Sequence, residues 1–215
     1  MMSAEGIIQF NLSFQKTEAL NEKWIGRMQP WRHILFQLHL IGQSPDRYDG
    51  YGYGNISERV KKRIPDHALR SFVISGSQTG HLSDLTVDHY ALVTGWDLEN
   101  NAIDSTGPCH PSSESLTHAA VYEADKSVNA VIHVHSPELW HRSRELGIPA
   151  TSPHIRCGTP DMAQEVLRLL GCAACRSLGV FAMGGHADGM ISFGEDIMEA
   201  GLRLIRFLAY PQESV

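Results

Sequence analysis

The sequence predicts an α/β protein: a three-layer α/β/α sandwich around a central mixed, largely antiparallel sheet. Three observations predict it. Short apolar runs of strand length are interleaved with stretches at helical spacing. Several strand runs are joined by turns too short for a parallel crossover. The chain has 215 residues, 42% apolar and 20% charged, which suits one core and leaves general disorder without support.

The elements follow in chain order. Thr17 to Ile41 reads as helix, broken at Pro30, with Ile34, Leu35, Leu38 and Ile41 on one face and Gly42 as its end. A glycine-rich loop follows, Asp49-Gly50-Tyr51-Gly52-Tyr53-Gly54-Asn55-Ile56-Ser57. Ser71 to Ser75 and Tyr90 to Trp96 read as strands, the second reaching Ala102-Ile103-Asp104 through a hairpin turn at Leu98-Glu99-Asn100-Asn101. Ser112 to Asp125 reads as a helix capped by Ser112 or Ser113. Ala130-Val131-Ile132-His133-Val134-His135 is a strong strand, with a helix near Pro137–Leu146 after it. Thr159-Pro160 opens a helix to Leu170, with Thr159 as N-cap and Pro160 at the first helical position. Ser177 to Met183 and Gly189 to Phe193 are strands, and an amphipathic helix from Glu195 to Ala209 closes the chain. The expected organisation is an N-terminal extension and helix over 1–29 and a single domain over 30–215.

Lys plus Arg is 18 and Asp plus Glu is 24, a net charge of −6, which disfavours general nucleic-acid binding. The start lacks a basic segment followed by a long apolar run, so no secretory signal is expected. No window approaches the apolar length that spans a bilayer. Cys109, Cys157, Cys172 and Cys175 are too few for a disulfide scaffold. Cys172-Ala-Ala-Cys175 has no second pair at zinc-finger spacing and no strand-to-helix context, so it reads as small apolar cysteines. A cytoplasmic protein is expected.

The 12 histidines stand out. His133-Val134-His135 is the sharpest motif, because strand residues two apart face the same way, about 7 Å apart at Cα. Two imidazoles so placed can converge on one metal, although two histidines on a polar strand face would look the same in isolation. Pro111-Ser112-Ser113-Glu114 opens a helix with hydroxyls and free N–H groups suited to an anion such as phosphate. Glu114 there is either a cap or dipole residue or, beside a metal, an acid–base group; His118 lies one turn on. Gly54-Asn55-Ile56-Ser57 and Ser75-Gly76-Ser77-Gln78-Thr79-Gly80 are each a turn signal rich in glycine and hydroxyls.

Taken in order over about residues 30–209, these segments resemble the class II aldolase/adducin family. Gly54-Asn55-Ile56-Ser57 resembles its first phosphate loop, Ser75-Gly76 its second, Pro111-Ser112-Ser113-Glu114 with His118 and Tyr122 its serine-rich helix, Val131 to Pro137 its zinc strand, and Gly158-Thr159-Pro160 a further helix start. The resemblance implies zinc, or another divalent metal, on His133, His135 and a third histidine. It implies Glu114 as the catalytic carboxylate. It implies Gly54, Asn55, Ser75, Gly76, Ser112 and Ser113 as the phosphate and substrate site. His186 is the candidate third ligand, in Met183-Gly184-Gly185-His186-Ala187-Asp188-Gly189. The family's usual His-His-Gly is absent there and Ala187-Asp188 intervenes, which leaves open whether Asp188 comes near the metal; His154 is the reserve ligand. His33, His39, His67, His81, His89, His110 and His141 read as surface or packing residues.

The implied function is a metal-dependent aldolase-type lyase acting on a small ketose phosphate through a metal-bound enediolate. Alternatives are a pentulose-phosphate 4-epimerase or a methylthioribulose-phosphate dehydratase-like enzyme on the same scaffold, or a non-catalytic adducin-like interaction module. The short stretch after Tyr210 counts against the epimerase, and the retained histidines and Glu114 against the module. The resemblance also implies a homotetramer with its site near a subunit interface, and neither nucleic acid nor membrane as partner.

Overall fold

The computed structural model describes residues 6–60 and 71–210. The start at Met1 to Glu5 and His67 lie outside the described residues. Eight strands form one sheet: β1 (Asn11–Lys16), β4 (Asn55–Arg59), β5 (Phe72–Ser75), β6 (Tyr90–Asp97), β7 (Ala102–Gly107), β8 (Ala130–His135), β9 (Val180–Ala182) and β10 (Gly189–Gly194), in the order β1-β7-β6-β5-β4-β8-β10-β9. β1 pairs with β7 in parallel, and the other six pairings in this sheet are antiparallel. A small antiparallel pair, β2 (Gly42–Gln43) and β3 (Gly52–Tyr53), stands apart from it. The helices are α1 (Met28–Gln37), α2 (Ser115–Ala124), α3 (Pro137–Arg142), α4 (Pro160–Gly171), α5 (Ala173–Leu178) and α6 (Ile197–Leu208). Among the described residues, no helix is long and apolar enough to cross a membrane.

The period-2 alternation of the strands divides the apolar residues between two cores. Phe72, Ile74, Val131, Ile191 and Phe193 point into one, with Leu116, Ala120, Met162 and Val166 of α2 and α4. Val73, Ile132, Val134 and Met190 point into the other, with Leu35 of α1 and Ala200, Leu204 and Phe207 of α6. Every residue of β8 is buried, its two histidines included, as in a strand covered on both faces. α4 and α6 bury single stripes, Met162, Val166, Leu169 and Leu170 in one and Ile197, Ala200, Leu204 and Phe207 in the other. By contrast α2 is buried from Ser115 to Tyr122, because it lies between the sheet and α4.

Several local expectations are corrected. Residues 17–41 form no continuous helix. A 3-10 turn at Glu22–Trp24 precedes α1, which starts at Met28, and Pro30 sits in its first turn, where a missing N–H costs nothing. The buried face of α1 is Met28, Arg32 and Leu35; Ile34 and Leu38 are exposed. The segment before it supplies a strand: β1 lines up Asn11 with Ala102 through Lys16 with Gly107 and extends the sheet. α2 starts three residues later than expected, with Glu114 as N-cap, because the Ser112 hydroxyl is spent accepting the Glu114 N–H at 3.2 Å inside the turn before it. Thr159 does cap α4, accepting the Met162 N–H at 3.3 Å. Cys172-Ala-Ala-Cys175 opens α5 after another helix, with Cys172 exposed and Cys175 buried.

Candidate metal centre and anion pocket

β8 runs between β4 and β10, so His133 faces Asn55 on one side and Ile191 on the other. His133 and His135 leave the strand on the same face, as their spacing requires. His186 arrives from the tight turn linking β9 to β10. That turn is closed by the His186 N–H on the Met183 carbonyl at 3.1 Å and the Gly189 N–H on the His186 carbonyl at 3.0 Å. A Cβ on Gly189 would lie 2.4 Å from His186 Cδ2, so glycine is what lets the imidazole fold back over its own turn.

The three rings converge. His133 Nε2 is 3.2 Å from His135 Nε2, which is 3.1 Å from His186 Nε2. All three side chains are buried. His133 Nδ1 lies 3.2 Å from the Met190 carbonyl, so it carries the proton there, and its Nε2 presents a lone pair to the cluster. One His135 nitrogen cannot hold a proton toward both neighbours at once, so at least two lone pairs meet in a dry pocket. A cation at their centre removes that repulsion. Tetrahedral zinc with bonds of about 2.0–2.1 Å would set its nitrogens about 3.3–3.4 Å apart, close to the two spacings that share His135. The donor set therefore fits a borderline divalent ion.

Glu114 lies beside this cluster. Its carboxylate, Cys157 Sγ and a His186 nitrogen lie within 4.8 Å of one another, and all three residues are buried. Thr117 Oγ1 donates to Glu114 Oε2 at 2.7 Å and steadies it. Cys157 was missed in the sequence, where its only signal is that it precedes the Gly158-Thr159-Pro160 helix start. His154, the reserve ligand, is exposed and belongs to neither group of potential ligands.

The pocket beside the histidines is narrow and lined by glycine and neutral polar residues: Gly54, Asn55, Gly76, Ser112 and Ser113 are among them. A backbone bridge between Gly76 and Pro111 holds the two loops together. Gly54 has φ +76°, and a Cβ there would lie 3.1 Å from the His133 carbonyl, so the loop touches β8 through a residue that only glycine can be. Asn55 Oδ1 is buried with no hydrogen-bond partner among the described residues, an acceptor or, flipped, a donor left for a ligand. Ser75 does not line the pocket; its Oγ accepts the Ile56 N–H at 3.1 Å and is a structural group. The loop contributes Ser77, Gln78, Thr79 and Gly80 instead, and Gly6 joins them from the segment ahead of β1.

His118 lies under this floor. Its Nδ1 is 2.7 Å from Ser57 Oγ, which is 2.8 Å from Tyr122 Oη. Burial pushes its pKa down to about 3, so it is neutral. Other histidines are accounted for locally: His33 pairs with Asp84 at 3.0 Å, His110 meets the Phe14 ring at 4.6 Å, and His141 Nδ1 is 2.7 Å from the Pro137 carbonyl.

Against the His135 ring sits a group the motifs did not announce. Tyr48 packs edge-on against the His135 ring, centroids 4.4 Å apart. Its O–H donates to Asp188 Oδ2 at 2.6 Å and accepts from Arg47 Nη2 at 2.6 Å. Burial first, and the Asp188 bond second, raise the Tyr48 pKa, so the phenol keeps its proton. Asp188 thus meets the centre through Tyr48 and belongs to neither group of potential metal ligands among the described residues.

Comparison with known proteins gives a consistent picture. The family described as the Class II Aldolase and Adducin N-terminal domain matches residues 45–207. A methylthioribulose-1-phosphate dehydratase of Gluconacetobacter diazotrophicus is 35% identical over 109 residues, which is 50% of this chain and 47% of that one. The match thus spans about half the length of that relative. Among solved structures, YgbL of Escherichia coli has a TM-score of 0.61 at 18% identity, over 86% of this chain and 85% of its own. The L-fuculose-1-phosphate aldolase of Thermus thermophilus has a TM-score of 0.56 at 19% identity, with the same coverage. At these identities the two structures speak for the shared fold, a mixed α/β protein with a large central sheet.

Proposed function

Because the chain belongs to the class II aldolase and adducin family, we propose that it is a metal-dependent lyase acting on a small ketose phosphate, with cleavage or formation of a carbon–carbon bond as its reaction. The observation that carries this is the meeting of three buried imidazoles, His135 Nε2 lying 3.2 Å from His133 Nε2 and 3.1 Å from His186 Nε2, beside a buried carboxylate and a neutral pocket.

His133, His135 and His186 would hold the ion, zinc first among candidates. Bound there, a divalent ion supplies a Lewis acid that polarises a substrate carbonyl. Glu114 moves the proton: its carboxylate lies next to His186, is dry, and is held by Thr117, as a general acid–base group requires. Gly54, Asn55, Gly76, Ser112 and Ser113 bind and orient the phosphate through N–H groups, hydroxyls and an amide. Ser75 stays with this set as the residue that holds β4 to the loop. Remote binding of this kind contributes to reaching the transition state.

A second reading, dehydration of a methylthio-ketose phosphate, is favoured by one specific observation, the 35% identity to the dehydratase. It needs the same ion, carboxylate and pocket and differs in which bond leaves. The proposal also takes residues 30–215 as one domain, the two cores as the interlayer cores of a three-layer sandwich, and the working protein as a cytoplasmic homotetramer with its site near a subunit boundary.

Metal analysis, then two incubations, tests the reading. The expected result is one divalent ion per chain, lost in His133→Ala, and a new carbon–carbon bond from dihydroxyacetone phosphate and a short aldehyde. Loss of water from methylthioribulose 1-phosphate without bond formation would turn the assignment to the dehydratase. Purified protein without metal, and indifferent to His133→Ala, would sink both.

A further inference from the structure

Tyr48, against the His135 ring, has a left-handed backbone at φ 52°; so do its chain neighbour Asp49 at φ 57° and its hydrogen-bond partner Asp188 at φ 64°. Asp tolerates this region, whereas a tyrosine there is uncommon and costs conformational energy. Surrounding contacts hold it. Tyr48 is fixed at its hydroxyl by Asp188 and Arg47, both at 2.6 Å, and at its ring by His135. Arg47 lies 4.9 Å from the Tyr48 centroid and 4.7 Å from that of Tyr53, and donates to Tyr53 Oη at 3.2 Å.

The two ends of the Tyr48–Asp188 bond are 140 residues apart in the chain. One end is the loop leading to the glycine-rich pocket. The other is two residues past His186, in the turn that carries the third imidazole. That turn is tied to β8 as well, since the Ser136 N–H donates to the Asp188 carbonyl at 2.9 Å. One phenol therefore touches the ring of His135 and holds the turn bearing His186. His133 has an equivalent support in the Met190 carbonyl.

We propose that Tyr48, held by Arg47 and Asp188, is a positioning residue of the metal centre, setting the His135 ring and the His186 turn in the geometry that binds the ion. This rests on the three-histidine reading above and adds to it Arg47 and Tyr48, which no motif supplies, and a role for Asp188. Groups that orient metal ligands from behind are worth about 10–100-fold in affinity. A tyrosine that only packed the loop would affect folding stability and leave metal affinity alone.

The test uses the full chain, zinc with a competing chelator, and cobalt(II) as a spectroscopic probe. Tyr48→Phe removes the hydroxyl and keeps the ring. The expected result is zinc binding weakened by about 10–100-fold and an altered cobalt d–d spectrum, with circular dichroism unchanged. Asp188→Ala should do the same, and the double variant should be no worse than the weaker single one, because both break one link. Asp188→Asn keeps an acceptor oxygen and tolerates the left-handed backbone, so it should restore binding. A folded Tyr48→Phe protein with wild-type affinity and spectrum overturns the proposal, as do losses that add. Wild-type protein that takes up no metal overturns the parent reading and this one with it. A metal-loaded wild type beside an indifferent Tyr48→Phe overturns this one alone.

Discussion

The histidine cluster and the neutral pocket touch at one register position, Asn55 opposite His133, yet they are built in opposite ways. The cluster is made of side chains on a regular strand and a tight turn. Its chemistry lies in residue identity, and a single exchange removes one of its three imidazoles. The pocket is made largely of loop backbone, with glycines that bring amides close and hydroxyls that are partly spent on holding the loops. No charged side chain lines it among the described residues. A dianion would be held there by many small contributions. The difference teaches where to look for sharp effects and where for graded ones.

The largest expected effect breaks the cluster. His133→Ala should abolish stoichiometric metal and lower turnover by about 10⁴-fold, since the ion's polarising role is worth several kcal/mol. Metal content by elemental analysis and steady-state rates check it. If the metal stays, the comparison fails at its first half. Next, Glu114→Gln should leave metal content near wild type and lower turnover by about 10²–10³-fold, the usual worth of a positioned acid–base group. Parallel loss of metal would make Glu114 a ligand in effect rather than a proton carrier.

The third test separates burial from ligation. His118 is as buried as the cluster, but among the described residues its ring bonds to Ser57 alone. Its folded pKa is about 3, below its unfolded value, so the unfolded chain takes up the extra proton as pH falls. Stability from this group is whole above about pH 6.5 and declines below it, by about 2 kcal/mol at pH 5. Thermal melts of the metal-free protein from pH 7 to 5 should show that slope, and a His118→Gln variant a shallower one. The smallest effect belongs to the pocket: Asn55→Ala should raise KM for a phosphorylated substrate about tenfold, one hydrogen bond to a charged group, with turnover and metal content little changed. A collapse of turnover instead would mean that Asn55 serves the cluster.

The same contrast governs what could be read from the residues. β8 was legible because its apolar run and His-x-His spacing act locally. Gly54, Gly76, Ser112 and Ser113 were legible as loop chemistry, but Ser75 was not separable from them, since which hydroxyl faces inward depends on the partner Ile56 across the sheet. β1 was hidden because its half-exposed pattern carries little apolar signal and its partner lies far along the chain. The start of α2 was misplaced because Ser112 caps the turn before the helix rather than the helix. Arg47 and Tyr48 had no local signature at all, and Asp188 was marked only by its place after His186; their link is made by the fold alone.

The parallel pairing of β1 with β7 has a consequence for the order in which the molecule is made. Asn11 waits for Ala102, 91 positions later (102 − 11), before its ladder can form. On a ribosome β1 emerges well before its partner yet docks late, on a β6–β7 hairpin that can form by itself from near neighbours. Until then the outer edge of β7 stands open to another chain. β1 therefore acts as a closing seam, and Gly6, five residues ahead of it, reaches the pocket only once that seam is sewn.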